Sequence, residues 1–146
     1  MKPILRSYLI EVNLGSSTPG AGQNINIQDY PQLRDVYITG IEAFNADQIT
    51  KSPAGKTVVT ANTGITLTLM DKYNMEMMFQ YPTSDLNPGI VSGFYRDIVP
   101  FYLQLTKSYI TVLDPTGLSA NESVILNVFY IQAKDYEKYK SGNVRK

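Results

Sequence analysis

Along most of the chain apolar side chains recur at every second residue, the period at which an extended strand turns successive side chains to opposite faces. Ile65-Thr66-Leu67-Thr68-Leu69 puts three aliphatic residues on one face and two threonines on the other, which predicts a half-buried strand. Tyr8, Ile10, Val12 and Leu14 alternate with Ser7, Leu9, Glu11 and Asn13 in the same way, as do Phe101, Leu103 and Leu105 with Tyr102, Gln104 and Thr106. Between Val36 and Phe44 the phase slips, with Val36 and Ile38 on one parity and Ile41 and Ala43 on the other. A bulge at Gly40 accounts for the slip, because one extra residue restores the facing and glycine tolerates the dihedrals. Lys56–Thr60, Tyr73–Gln80, Tyr109–Leu113 and Ser123–Ile131 are further candidates and bring the expected strands to about eight.

Turn chemistry separates these runs: Ser52-Pro53-Ala54-Gly55, Asn62-Thr63-Gly64, Asp85-Leu86-Asn87-Pro88-Gly89 and Asp114-Pro115-Thr116-Gly117. Pro88, Gly89 and Gly93 argue against a long helix over 85–97, whereas 134–140 shows Lys134/Lys138 and Tyr136/Tyr139 at helical spacing without a clear core face. The pattern therefore predicts an all-β, two-sheet sandwich. Connections near 16–24 and 84–97 are too long for tight hairpins, which favours jelly-roll (Greek-key) wiring over an up-and-down barrel. The expected organisation is one domain over residues 1–133 with a short N-terminal arm at 1–6, followed by a basic tail over 134–146.

Two stretches are more apolar than a half-exposed strand requires. Ser123–Ile131 is apolar on both parities, so both faces need cover, from the same chain or from a neighbouring subunit. Met75, Met77 and Phe79 share one face of another candidate strand; methionine suits a core and also adaptable contacts between proteins, and the core is the first expectation.

Composition narrows the chemistry. The 146 residues include no histidine, no cysteine and no tryptophan, so Ser-His-Asp and Cys-His nucleophiles, thiolate or histidine zinc sites and disulfides are all excluded. Thirteen basic residues balance thirteen acidic ones, so no net charge draws the chain to nucleic acid. The exception is local: five bases face two acids over 134–146, a solvated tail or a docking arm for an acidic neighbour or nucleic acid. Neither a secretory signal at the N-terminus nor an apolar run long enough to span a membrane is expected.

Ser52-Pro53-Ala54-Gly55-Lys56-Thr57 lacks the first glycine of a phosphate-binding loop, since Thr50 stands in its place, and it leads into Val58-Val59-Thr60, which looks like strand rather than helix. Gly-Ile-Val-Ser-Gly around Ser92 misses the nucleophile elbow by one position. Asp114, Asn121 and Glu122 bracket one loop without calcium-loop spacing, so turn capping is the plainer use. The eleven tyrosines suit strands, protein contacts or stacking on a sugar or base. No catalytic residue, cofactor or metal is predicted.

Ile27-Gln28-Asp29-Tyr30-Pro31-Gln32-Leu33-Arg34 leading into Val36–Glu42, then Phe101–Leu105 followed by Ser108-Tyr109-Ile110, and finally Val124–Ile131, together resemble small viral jelly-roll capsid proteins. Similar sequences occur in virion proteins of tailless icosahedral phages. The resemblance is one of pattern and implies a single-roll vertex, minor shell or decoration subunit in the virion, synthesised in the host cytoplasm. It implies contacts with copies of itself and other capsid proteins, and neither catalysis nor a small-molecule substrate. Candidate contact residues are Met75, Met77 and Phe79, Ile125, Phe129 and Ile131, Phe94 and Tyr95 in the long 84–97 connection, and Lys138 and Lys140 in the tail. Two rivals remain. One is a sandwich that holds a glycan or peptide in the loops around 85–94; the other is an enzyme working with a carboxylate pair alone.

Overall fold

A computed structural model describes residues 4–60, 63–88 and 96–140; for Arg96, Asp97, Tyr139 and Lys140 the description covers the backbone alone. Eight strands and one helix follow in chain order: β1 (Arg6–Asn13), β2 (Gln23–Asn26), β3 (Val36–Phe44), β4 (Ile65–Met70), β5 (Glu76–Pro82), β6 (Arg96–Tyr102), β7 (Tyr109–Val112), β8 (Ser123–Gln132) and α1 (Ala133–Lys140). They form two four-stranded sheets in the orders β1-β8-β3-β6 and β2-β7-β4-β5, and every ladder is antiparallel. The hydrogen-bonded pairs β4/β5, β3/β6, β2/β7 and β1/β8 are those of one long hairpin with its apex at the β4–β5 turn. Successive pairs alternate between sheets, so the hairpin is rolled up on itself. This is the jelly roll that the long connections predict.

The alternation explains which residues are inside. Ile10 and Val12 of β1 stand opposite Leu126 and Val124 of β8, and Ala43 and Ile41 of β3 stand opposite Leu126 and Val128; all are buried. They face Ile65, Leu67 and Leu69 of β4 and Ile110 and Val112 of β7, equally buried in the other sheet. Each of the valine, leucine and isoleucine side chains among them contributes roughly 1.5–3 kcal/mol by leaving water. The phase slip in β3 is real: against β8 its register shifts between Ile38 and Gly40 with Thr39 as the extra residue, while against β6 the same step spans Phe101 to Asp97, so there the extra residues belong to β6.

Three differences from the sequence reading have physical causes. The 56–60 stretch is no sheet strand. It is tied to one end of β8, where Ser123 N–H donates to the Thr57 carbonyl at 2.9 Å and Val59 N–H donates to the Ser123 carbonyl at 3.0 Å, while Val58 and Val59 are buried. β2 escapes a hydrophobic reading because three of its four residues are polar and exposed; its partly buried Ile25 pairs with Ile110 of β7. β6 ends at Tyr102, and the chain turns at Leu105–Lys107, so Leu103 and Leu105 are buried beyond the strand end.

Candidate interaction surface

The outward face of β8 is covered at its first half by the chain itself. Ile125 stands opposite Glu11 of β1 and Phe44 of β3. The Glu11 carboxylate accepts the Ala54 N–H at 2.9 Å and the Ser123 hydroxyl at 3.0 Å, and Asn13 Nδ2 donates to that hydroxyl at 3.0 Å. These bonds hold the 51–57 turn, closed by a Lys51–Thr57 bridge, over the end of the sheet. Ile125 has 0% of its surface exposed, so its assignment to a contact surface is corrected: it belongs to the folded interior. Phe129 and Ile131, farther along β8, are half-buried.

The start of the expected basic tail is likewise part of the fold. α1 follows β8 directly, Ala133 N–H donates to the Asp35 carbonyl at 2.8 Å, and Tyr136 stacks on Tyr37 with ring centroids 4.3 Å apart. Lys138 is exposed on this helix. Phe94, Tyr95 and the Lys140 side chain lie outside the described residues, as does 141–146.

β5 overturns the expectation that Met75, Met77 and Phe79 fill the core. Its register against β4 shifts twice: Met70 opposes Glu76, Leu69 opposes Met78 and Leu67 opposes Tyr81. Gln80, with φ at 46°, sits in the second irregularity, and its N–H donates to Thr68 Oγ1 at 3.1 Å. Met78 and Tyr81 therefore pack against the core, while Met75, Met77 and Phe79 are 60%, 47% and 56% exposed. Tyr73, at 72%, extends the cluster. The turn that carries it is tightly held, for Asp71 Oδ1 accepts the N–H groups of Tyr73 at 2.8 Å and Met75 at 2.9 Å, and Asn74 takes a φ of 61°. Asp71-Lys72-Tyr73-Asn74 carries this turn signal in the sequence, whereas alternation by itself extends the strand back over Tyr73.

A second surface feature is a cleft of about 240 Å³ whose lining includes Asp29, Arg34, Asp35, Tyr102, Gln104 and Thr106. Its charged groups engage one another: Arg34 pairs with Asp29, and the Tyr102 hydroxyl donates to Asp35. Lys72 lies 5.1 Å from the centre of the Tyr102 ring and 5.4 Å from that of Tyr73. Arg34's hydrogen bonds hold the Asp29 carboxyl below its usual range. The hydrogen bond to Asp35, followed by burial, pushes the Tyr102 phenol up to about 12.

Folding thus strengthens proton binding at Tyr102, so its contribution is complete below the unfolded value near 10 and is lost as pH rises through 12. Discounted for solvent screening, the loss is on the order of 1 kcal/mol. Asp35→Asn is expected to bring the phenol back toward 10, read from the Tyr102 ring resonances during an alkaline NMR titration. An unchanged midpoint would show that Asp35 is not the cause.

Among the described residues no group of three or more acidic side chains could hold a metal ion. Asp114 Oδ1 accepts the Thr116 N–H at 3.0 Å, Glu122 Oε1 accepts the Ser119 N–H at 2.7 Å, and Asn121, with φ at 65°, donates its own N–H to the Gly15 carbonyl at 2.7 Å. Turn capping accounts for this loop. Nor is any helix among the described residues long and apolar enough to cross a membrane.

Wiring and surface together define a jelly-roll β-sandwich that presents exposed apolar side chains at one sheet edge. No protein-family model, curated protein or solved structure matches the chain.

Proposed function

We propose that this chain is a non-enzymatic structural subunit of a virion, a phage capsid vertex, minor shell or decoration protein that acts through contacts with its own copies and with other shell proteins. The observation that carries this reading is the apolar cluster of Tyr73, Met75, Met77 and Phe79, held in the open by the Asp71 turn and the irregular β5 register. Large apolar side chains exposed together over one short stretch of chain suit a contact site. Jelly-roll wiring supports the reading, since shells commonly use this rigid two-sheet body. The polar groups of the Arg34–Tyr102 cleft support it too, because they are engaged within the chain: Tyr102 at the end of β6 bonds Asp35 just before β3, and Arg34 pairs with Asp29 in the loop that precedes it.

Repeated weak contacts suffice in a shell, where each subunit is held by several neighbours at once. Co-expression with the other proteins of the particle, followed by electron microscopy and mass spectrometry of the purified assemblies, is expected to find the chain at fixed stoichiometry and symmetric positions. A chain that stays monomeric at high concentration and joins no particle would overturn the reading. A glycan-array signal abolished by Phe94→Ala or Tyr95→Ala would favour a binding module instead.

A further inference from the structure

Each sheet has two outer strands, and four different devices discourage another strand from pairing with them. At β1 the Tyr30 hydroxyl accepts the Glu11 N–H at 3.1 Å and donates to the Glu11 carbonyl at 3.0 Å, filling the middle of that edge. β2 is four residues long. β6 carries Pro100, which has no backbone N–H to offer. β5 is broken by two register shifts. These are the means by which proteins blunt sheet edges. Exposed large apolar side chains also occur as Ile4 and Leu5 before β1 and Val99 on β6, but at β5 and the turn that leads into it there are four of them, Tyr73, Met75, Met77 and Phe79. Backbone pairing is blocked there and side-chain packing is left open.

Building on the shell-subunit reading, we propose that Tyr73, Met75, Met77 and Phe79 form a self-association surface on which a second copy of this chain docks about a two-fold axis. At about 200 Å² for a fully exposed side chain of this size, the four present roughly 500 Å². With a rim of Lys72, Asn74, Glu76 and Gln80, that approaches the ~800 Å² that each partner buries in a standard interface. Charge selects the same occupant. Lys72 and Glu76 are the two charged residues of 72–82 and have opposite signs. In a two-fold contact residue i meets j and j meets i, so Lys72 of one copy meets Glu76 of the other twice, with no like charges opposed. Flexible methionines adapt the apolar centre to its own image.

Sedimentation of the full chain over a range of concentrations tests this. The wild type is expected to dimerise, Met77→Lys and Phe79→Lys each to weaken the dimer at least tenfold, and Leu113→Lys, exposed elsewhere, to leave it unchanged. Glu76→Lys is expected to weaken it as well, and adding Lys72→Glu in the same chain to restore it to within a few-fold. That rescue is specific to a two-fold contact between copies. All five substituted positions are exposed, so thermal melts of the variants at low concentration should match the wild type. A dimer indifferent to Met77→Lys and Phe79→Lys, or a double charge swap without rescue, would overturn the proposal. So would a wild type that remains monomeric; if it still enters particles, the shell-subunit reading stands and the cluster belongs to a different shell protein.

Discussion

Ile125→Ala is expected to lower the unfolding free energy of the isolated chain by about 2–5 kcal/mol, the cost of a cavity where a fully buried isoleucine has been cut back. The loss should be the same at every protein concentration, because the side chain is enclosed by its own chain. Phe79→Ala, at a site 56% exposed, should change the stability of the monomer by less than 1 kcal/mol. Chemical denaturation of both variants at two concentrations checks the contrast. If Ile125→Ala were nearly neutral at low concentration and costly at high concentration, the outward side of β8 would be an interface after all, and the 51–57 turn would not be its cover.

Gly64→Ala should be far more damaging than the same replacement at Gly55. Gly64 has φ at +80°, where an L side chain is already strained, and an added Cβ would lie 2.6 Å from the Asp114 carbonyl oxygen and 2.9 Å from Asp114 Cβ. A backbone atom at that distance cannot swing away as a side-chain tip could. The Gly64 carbonyl also accepts the Leu113 N–H at 2.7 Å and the Asp114 N–H at 3.2 Å, so moving the glycine loosens the end of the β4–β7 ladder. Gly55 has nearly the same φ, +81°, with nothing within 4 Å of the added carbon. Gly55→Ala should therefore cost only the backbone strain, about 1–2 kcal/mol. Gly64→Ala should cost at least about 2 kcal/mol more, since overpacking is added to the strain. Equal costs at the two positions would mean that the Asp114 loop yields freely, and that Gly64 is fixed by its dihedral alone.

The two substitutions probe different levels of the fold. Ile125 reports a cover laid over a sheet by a distant part of the chain, whereas Gly64 reports a close approach between two loops. The cluster at β5 depends on neither, which is why its variants can be read through association alone.

Period-two alternation made most of the strands legible in the sequence by itself, because the inward face of β1, β3, β4, β7 and β8 is dictated residue by residue by the pleat. The β3 bulge could be read as well, since an extra residue leaves a parity change as its trace. Zero histidines and cysteines fixed which chemistries are closed to the chain. The tertiary structure decided the rest. Periodicity tells that a face is apolar without telling what lies on it, so the cover over Ile125 became visible only with Glu11 and Ser123, 112 residues apart, joined around the 51–57 turn. In β5 the apolar face read from alternation points to solvent, because two register shifts against β4 hand the inward positions to Met78 and Tyr81. Register belongs to a pair of strands, and a single stretch of sequence carries only half of it.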